Sequence, residues 1–322
     1  MIIGNFIKGI ELKNKNHYFS GLCCDSSKCK KNNIFFAIKG TKIDGNIFIN
    51  RAIKKGAKII ISNQKFEGIK KDILFIKSSN VRKSLSEFAF KTYKKKPQNI
   101  IAVTGTNGKS SVADFYFQIL KLNKRRVASI GTLGVKTQNY VKKLSNTTID
   151  PITLSMVLNK LKKERINDVI LEASSHGLKQ NRLDGLEFKT GIFTNLSHDH
   201  LDYHKTLGDY LKSKLYLFKK LLKKKANIIT DIEIPQYRKI KEIALKNKFN
   251  IQTISNNNSN LKIISHEFNS EKQIVKIKYN KIIYKFETKL IGKIQIKNIL
   301  MAILAATKSN LSFKKIINTI KD

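Results

Sequence analysis

The stretch Ile100-Ile101-Ala102-Val103-Thr104-Gly105-Thr106-Asn107-Gly108-Lys109-Ser110-Ser111 decides the fold of this chain. Its four leading apolar residues predict a short buried strand, with Pro97 before it and Gly105 after it. The residues that follow have helical spacing, with four apolar positions on one face: Val112, Phe115, Ile119 and Leu122. The sequence therefore predicts a strand, a glycine turn and a helix that begins at Lys109-Ser110.

A strand, a glycine turn and a helix in this order can cradle phosphate groups. Glycines let backbone N–H groups approach phosphate oxygens, and a helix N-terminus favours negative charge. Lys109 can then reach the terminal phosphates, and Ser110 can hold Mg²⁺. Two residues separate the glycines, which is not the common P-loop spacing, so a plain Gly-Asn turn is the alternative. We predict a nucleotide loop of seven residues: Gly105, Thr106, Asn107, Gly108, Lys109, Ser110 and Ser111.

The wording of residues 104–110 resembles the nucleotide loop of the Mur ligases. These are ATP-dependent enzymes that build the stem peptide of peptidoglycan, and their superfamily includes the folylpolyglutamate synthetases. The resemblance implies ATP and two Mg²⁺ ions as cofactors.

Length and composition fit a globular protein. The 322 residues are enough for two domains and a sizeable core, and the hydrophobic share of 41% is ordinary. The segment Met1–Lys15 is interrupted by polar and charged residues and does not form a secretory signal. The sequence contains no run of eighteen apolar residues, which argues against a membrane span. We expect a cytoplasmic protein, and a monomer.

The net charge of +40 invites a nucleic-acid interpretation. However, only seven of the 63 basic residues are arginine, and the lysines are scattered along the whole chain. This distribution is typical of a compositional bias rather than of a binding patch. We therefore expect no specific nucleic-acid partner, and a basic nucleic-acid-binding ATPase is the competing hypothesis.

Three cysteines, Cys23, Cys24 and Cys29, lie near His17 in the sequence. Such a group could bind zinc, but the spacing matches no common zinc motif. Reduced thiols are the simpler interpretation.

Two α/β domains are predicted, one over residues 1–96 and one over residues 97–322. The charged connector Tyr93–Pro97 marks the boundary. The first domain has predicted strands at 34–38, 57–62 and 73–76, and predicted helices at 47–55 and 81–93. In the second, strands alternate with helices, which predicts a mostly parallel sheet that binds ligands at the carboxyl ends of its strands. These strands are predicted at 100–103, 127–130, 168–172, 190–194 and 226–230, with further short strands between 251 and 290.

The first domain resembles that of the MurE-type ligases in three places: Asp25-Ser26-Ser27, Phe35–Gly40 and Asp44-Gly45. In that family, the domain holds the uridine nucleotide of UDP-MurNAc-dipeptide. Ser27 stands where an arginine is usual, and Asp-Ser and Asp-Gly are also ordinary turn formers. The resemblance implies substrate contacts from Cys24, Ser26, Thr41, Lys42 and Ile43.

In the second domain, the stretch Asn146-Thr147-Thr148 matches a MurE-type segment that contacts the muramoyl part of the substrate, although Ile149 replaces a usual proline. Asp150 can also simply cap a helix that begins at Pro151. Further along, Glu172-Ala-Ser-Ser-His-Gly-Leu178 also resembles the family. By this resemblance, the substrate contacts are Ser174, Gln180 and Arg182.

Glu172 ends a predicted buried parallel strand, which is a natural position for a Mg²⁺ ligand. A serine hydrolase built on Ser174 and His176 is disfavoured, because the sequence around them lacks the Gly-x-Ser-x-Gly elbow. Three histidines, His198, His200 and His204, then fall within seven residues. Taken alone they suggest a metal site, and zinc is a reasonable candidate. The family resemblance favours Mg²⁺, with His200 as its ligand.

A helix is predicted after Thr206, with an apolar stripe formed by Leu207, Leu211, Phe218 and Leu221. Lys214 completes the spacing of this stripe, although burial of an ammonium group is unfavourable unless it is paired or chemically changed. The MurE-type family has a carbamylated lysine at this position. The resemblance thus implies that Lys214, as an anionic carbamate, holds Mg²⁺.

The resemblance is weaker at Thr230–Glu233 and returns at Gly292–Asn298, where Asn298 is expected to face the nucleotide. Family members continue into a third domain that selects the amino acid, and we expect this chain to lack it. The sequence predicts an ATP-dependent ligase that adds a third amino acid, meso-diaminopimelate or L-lysine, to UDP-MurNAc-L-Ala-D-Glu through an acyl phosphate. Its predicted catalytic residues are Lys109, Glu172, His200 and Lys214. A folylpolyglutamate-type ligase and a truncated, inactive nucleotide-binding remnant are the alternatives.

Overall fold

The computed structural model describes residues 1–7, 11–40, 43–199, 201–269 and 271–320. The chain forms two compact units. The first comprises Met1–Lys94, Asp150–Met156 and Gln180–Leu186, and the second comprises Lys95–Ile149, Val157–Lys179 and Glu187–Asp322.

The first unit is built on a five-stranded sheet in the order β1-β2-β3-β5-β4. Its strands are β1 (Gly21–Cys23), β2 (Asn33–Phe36), β3 (Ala57–Ser62), β4 (Gly68–Lys70) and β5 (Ile73–Lys77). All pairs are parallel except β4 with β5. Two helices accompany them, α1 (Ile49–Lys54) and α2 (Val81–Thr92). Every residue of β2 is buried, as expected for a central parallel strand covered on both faces.

Two later stretches of the chain complete the first unit. Ile152 packs against its hydrophobic core. Ser86 on α2 donates a hydrogen bond to the Asn181 carbonyl at 2.5 Å, and Asn80 donates to the Asn181 side chain at 3.1 Å. The division into domains at residues 96 and 97 stays a prediction, and the first compact unit includes residues from well beyond that point.

The second unit contains an eleven-stranded sheet in the order β16-β15-β14-β13-β12-β11-β6-β10-β7-β8-β9. The pairs from β14 through to β7 are parallel, and the hairpins at both edges are antiparallel. The strands are β6 (Asn99–Thr104), β7 (Val127–Gly131), β8 (Gly134–Lys136), β9 (Val141–Lys142), β10 (Asp168–Glu172), β11 (Phe188–Phe193), β12 (Leu222–Asp231), β13 (Asn250–Ser255), β14 (Leu261–Asn269), β15 (Lys272–Tyr279) and β16 (Ile282–Thr288). The α/β class, the mostly parallel sheet and the strand-rich segment after residue 250 are confirmed.

Eight further helices follow in the chain: α3 (Lys109–Leu122), α4 (Pro151–Lys163), α5 (Ser175–Lys179), α6 (Leu201–His204), α7 (Leu207–Tyr216), α8 (Tyr237–Lys246), α9 (Lys293–Thr307) and α10 (Phe313–Ile320). Helices α3, α9 and α10 share one hydrophobic core with strands of the sheet. Within the described ranges, none of the helices is both long and apolar enough to cross a membrane.

The predicted helix stripes are partly wrong. On α3, Leu122 is 54% exposed, because the helix ends there and the next residue, Asn123, is buried instead and bonds back to Ile119. On α7, Leu207 is exposed and Tyr210 occupies the buried face. The burial of Lys214, Phe218 and Leu221 is confirmed. Leu207 is exposed because it is the first residue of α7, directly after the N-cap Thr206, and after Tyr216 the helix continues into a π-helical turn, Leu217–Leu221.

Candidate nucleotide and metal site

The loop between β6 and α3 depends on its two glycines. Gly105 has φ +153°, and a Cβ built there would lie 1.8 Å from the Thr194 hydroxyl. Gly108 caps α3 with a left-handed backbone at φ +84°, where side chains are disfavoured. The loop and the N-terminal turn of α3 can therefore present backbone N–H groups, as the sequence predicts.

Residues after β11 hold this loop in place. Thr194 donates to the Asn107 carbonyl at 2.6 Å, and the Asn195 side chain accepts from the Asn107 N–H at 2.9 Å. Ser197 donates its backbone N–H to the Thr106 hydroxyl at 3.0 Å. The sequence analysis did not predict this support. Its signal was the run of polar residues that directly follows a buried parallel strand.

Two lysines converge on one carbonyl of the loop. Lys109 Nζ donates to Gly105 O at 3.0 Å and to Thr106 O at 2.7 Å, and Lys214 Nζ donates to Gly105 O at 2.7 Å. Burial lowers the pKa of Lys109. Lys214 is 1% exposed, and burial, followed by the charge of Lys109, lowers its pKa to about 6. Asp199 partly opposes both shifts. Lys214 is therefore disposed to be a neutral amine near pH 7.

Tyr210 is a site residue that the sequence did not reveal. Its ring lies 4.2 Å from Lys214 Nζ, and its hydroxyl bonds with Thr106 and Ser175. Burial is the main cause that raises the pKa of Tyr210. The ring therefore covers Lys214 while the hydroxyl reaches the nucleotide loop.

Glu172 lies at the end of β10, beside β6 and β7, and is 2% exposed. Its carboxylate accepts hydrogen bonds from the Ser110 hydroxyl at 2.9 Å and from the Thr132 N–H at 2.9 Å. Gly131 passes so close that a Cβ there would lie 2.1 Å from Glu172 Oε1. The two predicted Mg²⁺ ligands Ser110 and Glu172 are thus adjacent hard oxygen donors, which fits a Mg²⁺ ion.

The predicted muramoyl-contact segment runs past this carboxylate. Thr148 donates its hydroxyl to the Glu172 carbonyl at 2.8 Å and accepts from the Ser174 N–H at 2.9 Å. Thr147 is within hydrogen-bond distance of Thr132, with 3.1 Å between their hydroxyls. Asn146 is exposed. Candidate substrate-contact residues and candidate phosphate-binding residues therefore share the same edge of the sheet.

A cavity of about 260 Å³ lies over this edge. It is lined by Thr106, Asn107, Gly108, Lys109, Ser110, Ser111, Thr132, Thr147, Ser174, Ser175, Tyr210 and Lys214. Asn298 is also buried and lies directly beside the same loop. A Cβ built on Gly108 would be only 2.5 Å from Asn298 Oδ1. The structure therefore brings together most of the residues predicted to bind nucleotide and metal.

Other predicted residues belong to the first unit. Ser26 is buried in a turn capped by Asp25, while Cys24 and Ile43 are exposed. Gln180 accepts hydrogen bonds from Arg182, the shorter at 2.7 Å. Thr41, Lys42 and His200 lie outside the described residues.

The histidine and cysteine groups were the other metal candidates. His204 is fully buried within an aromatic cluster with His176, Tyr203 and Tyr210, whereas His198 is exposed. Cys23 and Cys29 are buried free thiols. Over the part of the chain that the structure describes, no group of three or more His, Cys, Asp or Glu side chains is arranged to hold a metal ion.

A parallel sheet with a glycine loop, Lys109 and Ser110 at its carboxyl edge defines a nucleotide-binding α/β protein. Comparison with known families is more specific. Residues 103–306 match the Mur ligase middle domain, and residues 18–96 match the catalytic domain of the Mur ligase family. The chain belongs to the Mur ligase family.

Its similar proteins include UDP-N-acetylmuramoyl-L-alanyl-D-glutamate--2,6-diaminopimelate ligases. The one from Rickettsia prowazekii is 36% identical over 310 residues, covering 95% of this chain and 64% of the relative. The one from Agrobacterium fabrum is 35% identical, covering 88% of this chain and 57% of the relative. A solved structure of a ligase of this name superposes with a TM-score of 0.87 at 25% identity, covering 100% of this chain and 66% of that one. The chain thus spans less than two-thirds of the length of these relatives.

Proposed function

We propose that the chain supplies the ATP-binding and UDP-substrate-binding parts of a ligase that adds diaminopimelate to UDP-MurNAc-L-Ala-D-Glu. The names of its relatives support this substrate pair. One observation carries the proposal. The phosphate-directed Lys109, the paired donors Ser110 and Glu172, and the Thr147–Thr148 segment lie along one sheet edge. This arrangement can align an ATP γ-phosphate with a substrate carboxylate.

In the proposed reaction, the γ-carboxylate of the dipeptide's D-glutamate attacks the γ-phosphorus and ADP leaves. The acyl phosphate then reacts with the incoming amine, and phosphate leaves through a tetrahedral intermediate. Lys109 offsets negative charge on the transferred phosphoryl group, and the loop N–H groups orient the phosphates. The chain supplies positioning and electrostatic stabilisation, so that a covalent enzyme nucleophile is not required.

Ser110 and Glu172 would hold Mg²⁺, with His200 and a carbamate on Lys214 as the further proposed ligands. Such ions, two in this proposal, supply charge neutralisation at the phosphates when bound. Glu172 is already desolvated and oriented by Ser110 and Thr132, which reduces the cost of arranging it for a cation. Residues 97–322 form the proposed ATP-binding domain and residues 1–96 the proposed UDP-substrate domain.

We propose that Lys214 is carbamylated, and its burial supports this proposal. A neutral amine adds to CO₂, and the pKa of about 6 makes that form available near pH 7. The resulting anion would replace a repulsion between Lys109 and Lys214 by an attraction. A buried amine that donates to the Gly105 carbonyl would thereby become a buried carbamate beside a cation.

A folylpolyglutamate-type ligase is the second hypothesis from the same superfamily, but the relatives' names favour the UDP-muramoyl substrate. A nucleotide-binding remnant is the third hypothesis, and a nucleic-acid-binding ATPase is the fourth. Titration of the chain with UDP-MurNAc-L-Ala-D-Glu, dihydrofolate and single-stranded DNA separates the first, second and fourth hypotheses. We propose a cytoplasmic monomer that binds only the first of these ligands.

The test of the nucleotide site is Lys109→Met, measured by isothermal titration with Mg-ATP. We expect the Kd to rise at least about tenfold, because a phosphate-directed charge is lost while the core is untouched. Lys121→Met, at an exposed position on the same helix, is the matched control and should bind as the unmodified chain does. Equal affinities of the Lys109 and Lys121 variants would contradict the proposal.

A further inference from the structure

Lys297 on α9 forms two ion pairs with residues at and just after the end of β12. Its Nζ lies 2.6 Å from Asp231 Oδ2 and 2.8 Å from Glu233 Oε2. The Asp231 side chain is 3% exposed and that of Lys297 is 26% exposed. Shielded pairs of this kind, with two carboxylates on one ammonium, hold their geometry better than single exposed pairs.

The Glu233 carboxylate is also hydrogen-bonded to the neighbouring strand β13 and the residue after it. Glu233 Oε1 accepts from the Ser255 hydroxyl at 2.8 Å and from the Asn256 N–H at 3.1 Å. The Lys297 hydrogen bond, followed by that of Ser255, lowers the pKa of Glu233 to about 2. Lys297 is therefore paired with two carboxylates at and just after the end of β12, one of which is also hydrogen-bonded to the end of β13.

The next residue in the helix, Asn298, is 3% exposed and lies against the nucleotide loop. Its Oδ1 stands 2.5 Å from the place where a Gly108 Cβ would be. Successive residues of an α-helix point about 100° apart, so Lys297 and Asn298 face different neighbours from the same turn. A rotation or shift of this turn that breaks the ion pairs would also move Asn298 away from Gly108.

The first residues of α9, Lys293 and Ile294, are exposed. The first turn is closed by the Gly292 carbonyl, which accepts from the N–H groups of Gln295 and Ile296 at 3.2 and 3.3 Å. Exposed first turns fray more readily than buried ones. Burial of the helix in the core begins at Ile296. The ion pairs of Lys297 therefore act where the helix passes from its exposed first turn into the core.

We propose that Lys297 is a positioning residue for nucleotide binding. Through Asp231 and Glu233 it fixes the first turns of α9, so that Asn298 keeps its place against Gly108 and the loop keeps the shape that accepts a nucleoside triphosphate. The inference rests on the proposed function, because it assumes that this loop binds Mg-ATP.

The test is Lys297→Met in the full chain, with the Kd for Mg-ATP measured by isothermal titration and the fold checked by circular dichroism. We expect the Kd to rise about tenfold. Lys297→Arg keeps a donor for both carboxylates and should restore most of the affinity. Lys241→Met removes the same charge from an exposed position on α8 and should change nothing. If Lys297→Met does not fold, Glu233→Gln removes one ion pair and should raise the Kd about threefold.

A double-mutant cycle distinguishes positioning from general stabilisation. If Lys297 acts through Asn298, then Lys297→Met combined with Asn298→Ala binds no more weakly than Asn298→Ala alone. Additive losses, or an unchanged Kd in folded Lys297→Met, overturn the positioning role. A chain of unmodified sequence that does not bind Mg-ATP overturns the proposed function itself.

Discussion

Replacement of Lys214 by methionine should stabilise the protein against unfolding. Lys214 is 1% exposed, and its pKa falls from 10.5 in the free side chain to about 6 because of burial. Each pKa unit corresponds to about 1.4 kcal/mol. At pH 7 folding must therefore remove a proton from a lysine whose unfolded pKa lies about 3.5 units higher, which costs about 5 kcal/mol. Methionine loses the hydrogen bond to Gly105 O, worth about 1–2 kcal/mol, so we expect a net gain of about 3 kcal/mol.

The pH dependence gives a sharper test than the magnitude. Between pH 6 and pH 10.5 the folded state binds fewer protons at Lys214 than the unfolded state does, so this group makes stability rise with pH. Methionine has no such dependence. The advantage of Lys214→Met should therefore shrink by about 1.4 kcal/mol per pH unit between pH 7 and pH 9.

The assay is urea unfolding followed by far-UV circular dichroism, in CO₂-free buffers at several pH values. Lys212→Met, at an exposed position on the same helix, is the matched control and should have little effect at any pH. If the stability curves of Lys214→Met and the unmodified chain run parallel from pH 7 to pH 9, then Lys214 is not desolvated as a cation. Burial would then no longer support carbamylation of this side chain.

Gly131→Ala should weaken Mn²⁺ binding, measured by electron paramagnetic resonance, by at least about tenfold, because the new Cβ would meet the Glu172 carboxylate at 2.1 Å. Gly208→Ala, whose Cβ meets nothing closer than 3.7 Å, is its control, and equal Mn²⁺ affinities would contradict the assignment of Glu172. Thr148→Val should lower the free energy of unfolding by about 2–3 kcal/mol, because it removes the partner of both the Glu172 carbonyl and the Ser174 N–H. Thr148→Ser keeps that hydroxyl and should lie within about 1 kcal/mol of the unmodified chain in the same urea titration, and an equal loss in both variants would refute the hydrogen-bond explanation.

Local patterns were sufficient to predict the framework of the second unit. The apolar run 100–103 and the glycine loop after it fall where β6 and α3 meet, and the predicted strand at 168–172 coincides with β10. These predictions succeeded because a strand buried on both faces is nearly all apolar, and because a phosphate-type loop needs glycine at fixed points. The carboxylate that ends β10 then lies at the edge where parallel strands present their ligand-binding groups.

The residues that the sequence did not reveal act through tertiary contacts. Tyr210 lies one helical turn before Lys214 on α7, but the contact of its hydroxyl with Thr106 on the nucleotide loop is a tertiary contact that helical spacing does not show. Thr194 and Asn195, which directly follow β11, support the loop from about ninety residues further along the chain. The ion pairs of Lys297 likewise join segments more than sixty residues apart, and among so many lysines its sequence position carries no special signal.

The first unit is assembled from three separate segments of the chain, and this limits when it can be completed during synthesis. Ser86 on α2 finds its partner carbonyl at Asn181, and the core is completed by Ile152. A ribosome must therefore translate as far as residue 186, more than half of the chain, before every segment of this unit exists. The first unit therefore cannot be complete before residues 95–149 and 157–179 of the second unit have also been synthesised.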